Sequence, residues 1–211
     1  PVAEICDDAD NDCDGSVDEG QSNACGTCGV VPAETCDTID NDCNGAVDDD
    51  GTRGGPLLLS CGDEVPEAGF VFLPGGYPEL HAGHLAQCKA FLNSLRNAAE
   101  GTDIYGECGG YMVLGNTITD ASGDAHQMAG LLDLDTSFAK RKLHLGYREI
   151  DAETGPLAGK WRAHEFHYAT TVGANGPPLF DARDATGAEL GPMGLRSGRV
   201  CGSFAHIIDA A

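Results

Sequence analysis

The octapeptide Tyr105-Gly106-Glu107-Cys108-Gly109-Gly110-Tyr111-Met112 constrains this chain more than any other stretch. Before it, residues 101–105 read as a short buried strand; after it, residues 111–115 read as the start of a helix. A strand that turns sharply into a helix, with small residues around one cysteine, is the pattern of a nucleophile elbow. Its glycines permit a strained turn and let a second backbone come close. The helix N-terminus then turns its unpaired N–H groups and positive dipole end toward the sulfur, which favours thiolate. The competing reading is a small buried cysteine in a tight turn.

The surroundings support a parallel α/β sheet. Residues 69–73 (Gly-Phe-Val-Phe-Leu) form a short apolar run that ends in Pro74-Gly75-Gly76, a buried strand entering a turn. Residues 84–95 have helical periodicity, and the elbow follows. Strand, helix, strand, helix implies a parallel sheet covered on both faces. Sites in such sheets lie at the carboxyl ends of the strands, so Gly75, Gly76 and Cys108 should face one crevice. There the Gly76 and Gly109 backbone N–H groups can form an oxyanion hole. A base is also required. His206, His164 and His167 each qualify, and spacing alone does not choose among them. A carboxylate two residues after His206 would orient the imidazole, but that position is Ile208.

The first fifty residues differ in kind. They hold fifteen acidic side chains and no Lys or Arg, whereas the rest of the chain has nineteen acidic and twelve basic residues. Residues 4–19 recur as residues 34–49, and each copy keeps the spacing D-x-D-x-[DN]-G. Alternating carboxylates on an extended loop converge on one hard cation. Asp10, Asp12, Asp14 and Asp18 would supply oxygens in the first copy; Asp40, Asp42, Asn44 and Asp48 would do so in the second. The twelfth loop positions are Gln21 and Gly51 rather than Glu, so these are not EF-hands. Cys6 with Cys13, and Cys36 with Cys43, can close each loop, and Cys25 with Cys28 can form a further bridge or half of a zinc site. The competing reading is a solvated acidic tail. The repeats resemble short cysteine-containing metal-binding repeats of bacterial secreted and surface proteins, some grouped with a copper-binding protein. Oxygen ligands, and the lack of His or Met in residues 1–50, point to calcium instead.

The chain therefore divides into acidic repeats (1–51), a linker (52–68) and an α/β domain (69–211). Dense cysteines in the repeats argue for a secreted or surface location, while the scattered Cys61, Cys88, Cys108 and Cys201 suit a reduced, cytoplasmic enzyme. Neither part has the basic surface that nucleic acid requires, and no apolar run is long enough to span a bilayer. The start at Pro1, without Met, reads as a fragment or a processed form.

Five motifs occur in order between about Phe70 and His206. They are Leu73-Pro-Gly-Gly-Tyr-Pro-Glu-Leu-His81, Tyr105-Gly-Glu-Cys-Gly-Gly-Tyr-Met-Val-Leu-Gly115, Thr136-Ser-Phe-Ala-Lys-Arg-Lys-Leu-His-Leu-Gly-Tyr-Arg148, Arg162-Ala-His-Glu-Phe-His-Tyr168 and Gly202-Ser-Phe-Ala-His206. Together they resemble the C-terminal glutaminase domains of cobyrinic acid a,c-diamide synthases, in the class I glutamine amidotransferase (flavodoxin-like) superfamily. The resemblance implies Cys108 as nucleophile and His206 as its base, with Gly75, Gly76 and Gly109 around the oxyanion and glutamine. It also places Lys140, Arg141, Arg162, His164 and His167 toward a synthetase interface or an acidic corrin substrate, against a plain solvated surface for the basic run. Ile208 fits the cobyrinate branch, which commonly lacks the carboxylate after the histidine.

Two departures from that family stand out. No G-x-x-x-x-G-K-[ST] phosphate loop is present, so Mg-ATP chemistry on cobyrinic acid belongs to a synthetase half outside this sequence. The family's first strand-helix unit is also missing ahead of Leu73, which predicts an exposed edge strand and reduced stability. Two other readings compete with a glutaminase: a secreted calcium-binding protein carrying an inactive amidotransferase relic, and a cysteine hydrolase of the same fold acting on another amide.

Overall fold

The computed structural model describes residues 61–211. The chain divides into two units after Leu58, and the described residues all belong to the second. The repeats, with their proposed metal ligands and loop-closing cysteines, lie outside the described residues.

The elbow sits in a small central sheet. Strand β1 (Phe70–Leu73) is followed by a 3-10 turn (Pro78–Leu80) and helices α1 (Ala82–Leu85) and α2 (Lys89–Ala98). Strand β2 (Asp103–Glu107) leads directly into helix α3 (Gly109–Leu114). Much later, β11 (Leu195–Ser197) and β12 (Val200–Ser203) complete the sheet in the order β1-β2-β12-β11. β1, β2 and β12 run parallel, and β11 is antiparallel to β12. The expected parallel core is thus present.

Alternation along these strands explains how the sheet is buried on both faces. Ile104 and Val200 point into one cluster with Leu92 and Leu95 of α2 and Met112 and Leu114 of α3. Tyr105 and Cys201 point into the other, beneath Ile150, Ala163 and Phe180. Among the described residues β1 pairs only with β2, and Phe70 and Phe72 remain 44% and 49% exposed. This is the exposed apolar edge predicted for a sheet without its first strand-helix unit.

The strand-helix alternation does not continue beyond α3. Strands β3 (Thr117–Thr119), β4 (Ala125–Gln127), β5 (Asp133–Ser137) and β8 (Thr170–Asn175) make a mixed sheet in the order β4-β3-β5-β8. Strands β6 (His144–Ala152), β7 (Gly159–His167), β9 (Phe180–Asp184), β10 (Glu189–Met193) and β13 (Ala205–Ala210) make an antiparallel sheet in the order β10-β9-β6-β7-β13. It covers the face of the central sheet that carries Tyr105. The chain crosses between these two sheets at a single residue, Phe204, which separates β12 from β13.

Local chemistry also departs from periodicity at residues 84–95. The expected single helix is broken between α1 and α2, where Cys88 adopts φ −72° and ψ 62° as the N-cap of α2. Cys88 is held there by a disulfide to Cys61, so these two cysteines are not the free thiols expected of a reduced domain. Residues 61–68, read as the end of a linker, are fastened to the domain by that bridge. The Val65 amide donates to Ser94 Oγ at 2.8 Å, and Thr102 Oγ1 donates to the Ala68 carbonyl at 3.1 Å. No helix among the described residues is long and apolar enough to cross a membrane.

Candidate active site

Cys108 is the only non-glycine described residue with positive φ, at φ 49° and ψ −102°. Such a conformation costs about 1–3 kcal/mol and persists only where the surroundings over-determine it. Here they do. The Cys108 amide donates to the Ser203 carbonyl at 2.8 Å, which ties the elbow to the end of β12. The Gly110 amide donates to the Pro74 carbonyl at 3.0 Å, which ties it to the end of β1. All six residues of α3 are buried, so the helix cannot roll to relieve the strain. The strand-turn-helix geometry read from the octapeptide is what the chain adopts.

The sulfur faces a cleft of about 130 Å³ lined by Gly76, Tyr77, Glu79, Cys108, Met112, Phe138, Phe166, His167, Tyr168 and His206. The thiol points at the Phe166 carbonyl, 3.8 Å away. Burial pushes the Cys108 thiol up to about 11, and the Glu107 and Glu79 carboxylates push the same way. Backbone N–H groups of Gly109 and Gly76 pull in the opposite direction. Those are the two amides expected to form an oxyanion hole, and both bear on the sulfur. The helix end does pull toward thiolate through the Gly109 N–H, but α3 is six residues long and desolvation outweighs that pull.

The structure separates the three histidines. His167 has both ring nitrogens engaged, Nε2 with Glu165 Oε1 at 2.9 Å and Nδ1 with the Ala169 carbonyl at 3.1 Å. Its ring is stacked between His144 and Phe204. His167 lines the cleft as a fixed wall with no nitrogen left for Cys108. Among the described residues His206 bonds only through Nδ1, which meets Glu107 Oε1 at 3.0 Å. His164 stacks on His206, with ring centroids 4.8 Å apart. His206 thus shares the cleft with Cys108, and its Nε2 meets no partner among the described residues.

Gly75 lies between the two: a Cβ built there would stand 2.7 Å from His206 Cε1 and 3.6 Å from Cys108 Cβ. The three glycines expected at the site therefore all pack against it. The basic residues do not. Lys140, Arg141 and Arg162 are exposed, and Arg141 is close enough for its charge to act on Glu79. Glu79 was missed in the sequence, although it lies within the first motif. Burial raises its carboxyl above the ordinary value, and its own backbone and Arg141 oppose that rise.

Two groups among the described residues bring three metal-ligating atoms together. In the first, the sulfurs of Cys61 and Cys88 are consumed by their disulfide, leaving His84 alone. In the second, His144, Glu165 and His167, the place of a cation is already filled. Arg148 donates from Nε and Nη2 to Glu165 Oε2 at 3.0 and 2.8 Å. Burial would raise the Glu165 carboxyl, but bonds from His167 and Arg148 hold it below the usual range. This is a structural ion pair rather than a metal centre.

Comparison with known proteins identifies the family. Residues 58–211 match the family model for a CobB/CobQ-like glutamine amidotransferase domain, so the chain belongs to that family. A metal-binding motif model matches residues 2–19 and 32–49, the two acidic repeats. Among curated proteins, the hydrogenobyrinate a,c-diamide synthase of Brucella anthropi is 56% identical over 153 residues, covering 70% of this chain and 35% of that protein. The synthase of the same name from Rhodobacter capsulatus is 51% identical over 148 residues, covering 68% of this chain and 34% of its own. This chain thus spans about a third of the length of the curated relatives it matches. A solved structure titled as a glutamine amidotransferase aligns with a TM-score of 0.44 at 16% identity, covering 65% of this chain and 69% of that one.

Proposed function

We propose that this chain is the glutamine-hydrolysing part of an a,c-diamide synthase acting on a corrin-type polycarboxylic acid in cobalamin biosynthesis. The observation that carries it is the convergence of Cys108 on its strained elbow, the Gly76 and Gly109 amides and His206 on one cleft. In this reading Cys108 attacks the side-chain amide carbon of glutamine. His206 takes the thiol proton and returns one to the departing ammonia. The Gly76 and Gly109 N–H groups stabilise the oxyanion as it forms. Water then hydrolyses the thioester to glutamate. The raised Cys108 pKa fits a nucleophile that gives up its proton only when substrate and base are both in place.

The relatives' name supports hydrogenobyrinate or the related cobyrinic acid as the eventual ammonia acceptor. Mg-ATP and the acceptor would be held by a synthetase half that this sequence does not include, in the cytoplasm. Lys140, Arg141, Arg162 and His164 stay assigned to that half or its substrate. For the repeats, calcium held by Asp10, Asp12, Asp14, Asp18, Asp40, Asp42, Asn44 and Asp48 remains the proposed ion, tested by calorimetric titration of the chelator-treated chain. The relic reading is the weaker one, because a decayed site has no reason to keep a strained cysteine over-determined.

The test is glutamate release from glutamine by the full chain beside Cys108→Ala. Release that vanishes in the variant supports the reading. If no release occurs even after a synthetase half is added, the reading is overturned.

A further inference from the structure

The glutaminase reading leaves His206 without an orienting group, because Ile208 stands where a carboxylate would be and is 57% exposed. The structure supplies a carboxylate from elsewhere. Glu107, immediately before the nucleophile, places Oε1 3.0 Å from His206 Nδ1. Its other oxygen accepts the Ile207 amide at 3.1 Å and lies 3.5 Å from the Tyr105 hydroxyl. The carboxylate is mostly buried and held from several sides.

The backbone explains the meeting of residues 99 positions apart. Parallel pairing of β12 with β2 sets Ser203 beside Glu107. Two residues later the chain has entered β13, and His206 points back at the end of β2. One tight segment, residues 107 and 108, therefore positions the orienting acid and the nucleophile together.

We propose that Glu107 is the positioning residue of this site, fixing His206 as the Nδ1–H tautomer so that Nε2 is the proton acceptor. The inference rests on the glutaminase reading for its role in turnover, but not for the hydrogen bond itself. Glu107 acts on both sides of the proton transfer. Its charge disfavours a resting thiolate at Cys108, and it stabilises the imidazolium that forms when His206 takes the thiol proton. The proton moves from Sγ to Nε2 and then to the leaving ammonia; Glu107 keeps its charge throughout.

The rival is a staple that merely holds β13 to β2 through the Ile207 amide. Glu107→Gln separates the two, since its amide oxygen can still accept from Ile207 while the charge is gone. The expected result is a fall in kcat of about 10²- to 10⁴-fold with KM within threefold, partial rescue in Glu107→Asp, and an unchanged melting temperature. In a His206→Ala background, Glu107→Gln should cost nothing further, because the acid acts only through the imidazole. A loss below threefold, or one that adds fully to that of His206→Ala, overturns the proposal.

A second readout needs no turnover. In the full chain labelled with ¹⁵N-histidine, a low-field Nδ1–H proton should be lost in His206→Ala and displaced in Glu107→Gln. If wild type releases no glutamate, the glutaminase reading fails alone. The resonance then decides this inference, and one unmoved by Glu107→Gln overturns it.

Discussion

The imidazole of His206 occupies the space that a side chain at position 75 would need, 2.7 Å from a Cβ built on Gly75. The obstructing atom is the far end of a half-buried side chain, so Gly75→Ala should displace the histidine rather than unfold the domain. A misplacement of about 1 Å in a catalytic group can cost roughly 10²-fold in rate. Steady-state glutaminase assays should show a loss of about that size in kcat, with a melting temperature close to wild type.

Gly110→Ala should do the reverse. A Cβ there would lie 2.1 Å from the Leu73 carbonyl oxygen and 2.6 Å from its carbon. Both are backbone atoms of β1 and cannot swing aside, so α3 must separate from the central sheet. Overpacking against rigid neighbours costs about 1–3 kcal/mol and occasionally more, and this contact belongs at or above the upper end. Denaturant unfolding monitored by circular dichroism should show a clearly lowered midpoint.

These two glycines also show which parts of the site were legible. The elbow is local: Gly109 and Gly110 follow Cys108 directly, and the short strand Asp103–Glu107 runs straight into it with its middle residues buried. Its strained turn could therefore be read from eight residues. Spacing could not choose His206 over His167, because that depends on where β7 and β13 bring each ring; the resemblance of the ordered motifs alone points to His206. The pairing of His206 with Glu107 depends on the parallel register of β12 with β2, which spacing does not encode. Alternation along β6 misleads as to its faces, because Leu145 and Tyr147 are 63% and 69% exposed while Gly146 and Arg148 between them are half-buried. The break at Cys88 left no trace in periodicity, because the disulfide and the N-cap backbone decide it.

That disulfide makes a separate prediction. The bridge spans 27 residues between Cys61 and Cys88. Closing a loop of that length in the unfolded chain should stabilise the domain by about 3–4 kcal/mol. Cys61→Ser/Cys88→Ser should lose about that much in guanidinium titrations. Thiol counting on the native domain should find Cys108 and Cys201 alone among the described cysteines.

Cys201 sets an alkaline limit on stability. Burial, followed by the Asp103 charge, pushes its thiol up from 9.0 to about 11. As pH rises past the ordinary thiol value, the unfolded chain loses this proton while the folded chain keeps it. Folding stability is therefore full below about pH 9 and falls as pH climbs toward 11. The slope per group cannot exceed about 1.4 kcal/mol per pH unit. Unfolding titrations at pH 8, 9 and 10 should decline less steeply in Cys201→Ala than in wild type.

The same reasoning applies to Cys108 and decides how the nucleophile is activated. A resting thiolate-imidazolium pair would give iodoacetamide labelling that is already maximal near neutrality. The buried thiol, raised from 9.0 to about 11 and facing the Phe166 carbonyl, should label slowly at pH 7 and faster as pH approaches 11. Mass spectrometry of labelled Cys108 across that range distinguishes the two. A late rise would mean that the proton leaves only within the substrate complex, where His206 receives it and the Gly76 and Gly109 amides meet the charge passed on to the glutamine oxygen. A plateau at neutral pH would instead require that the amides and the imidazole outweigh desolvation before glutamine arrives.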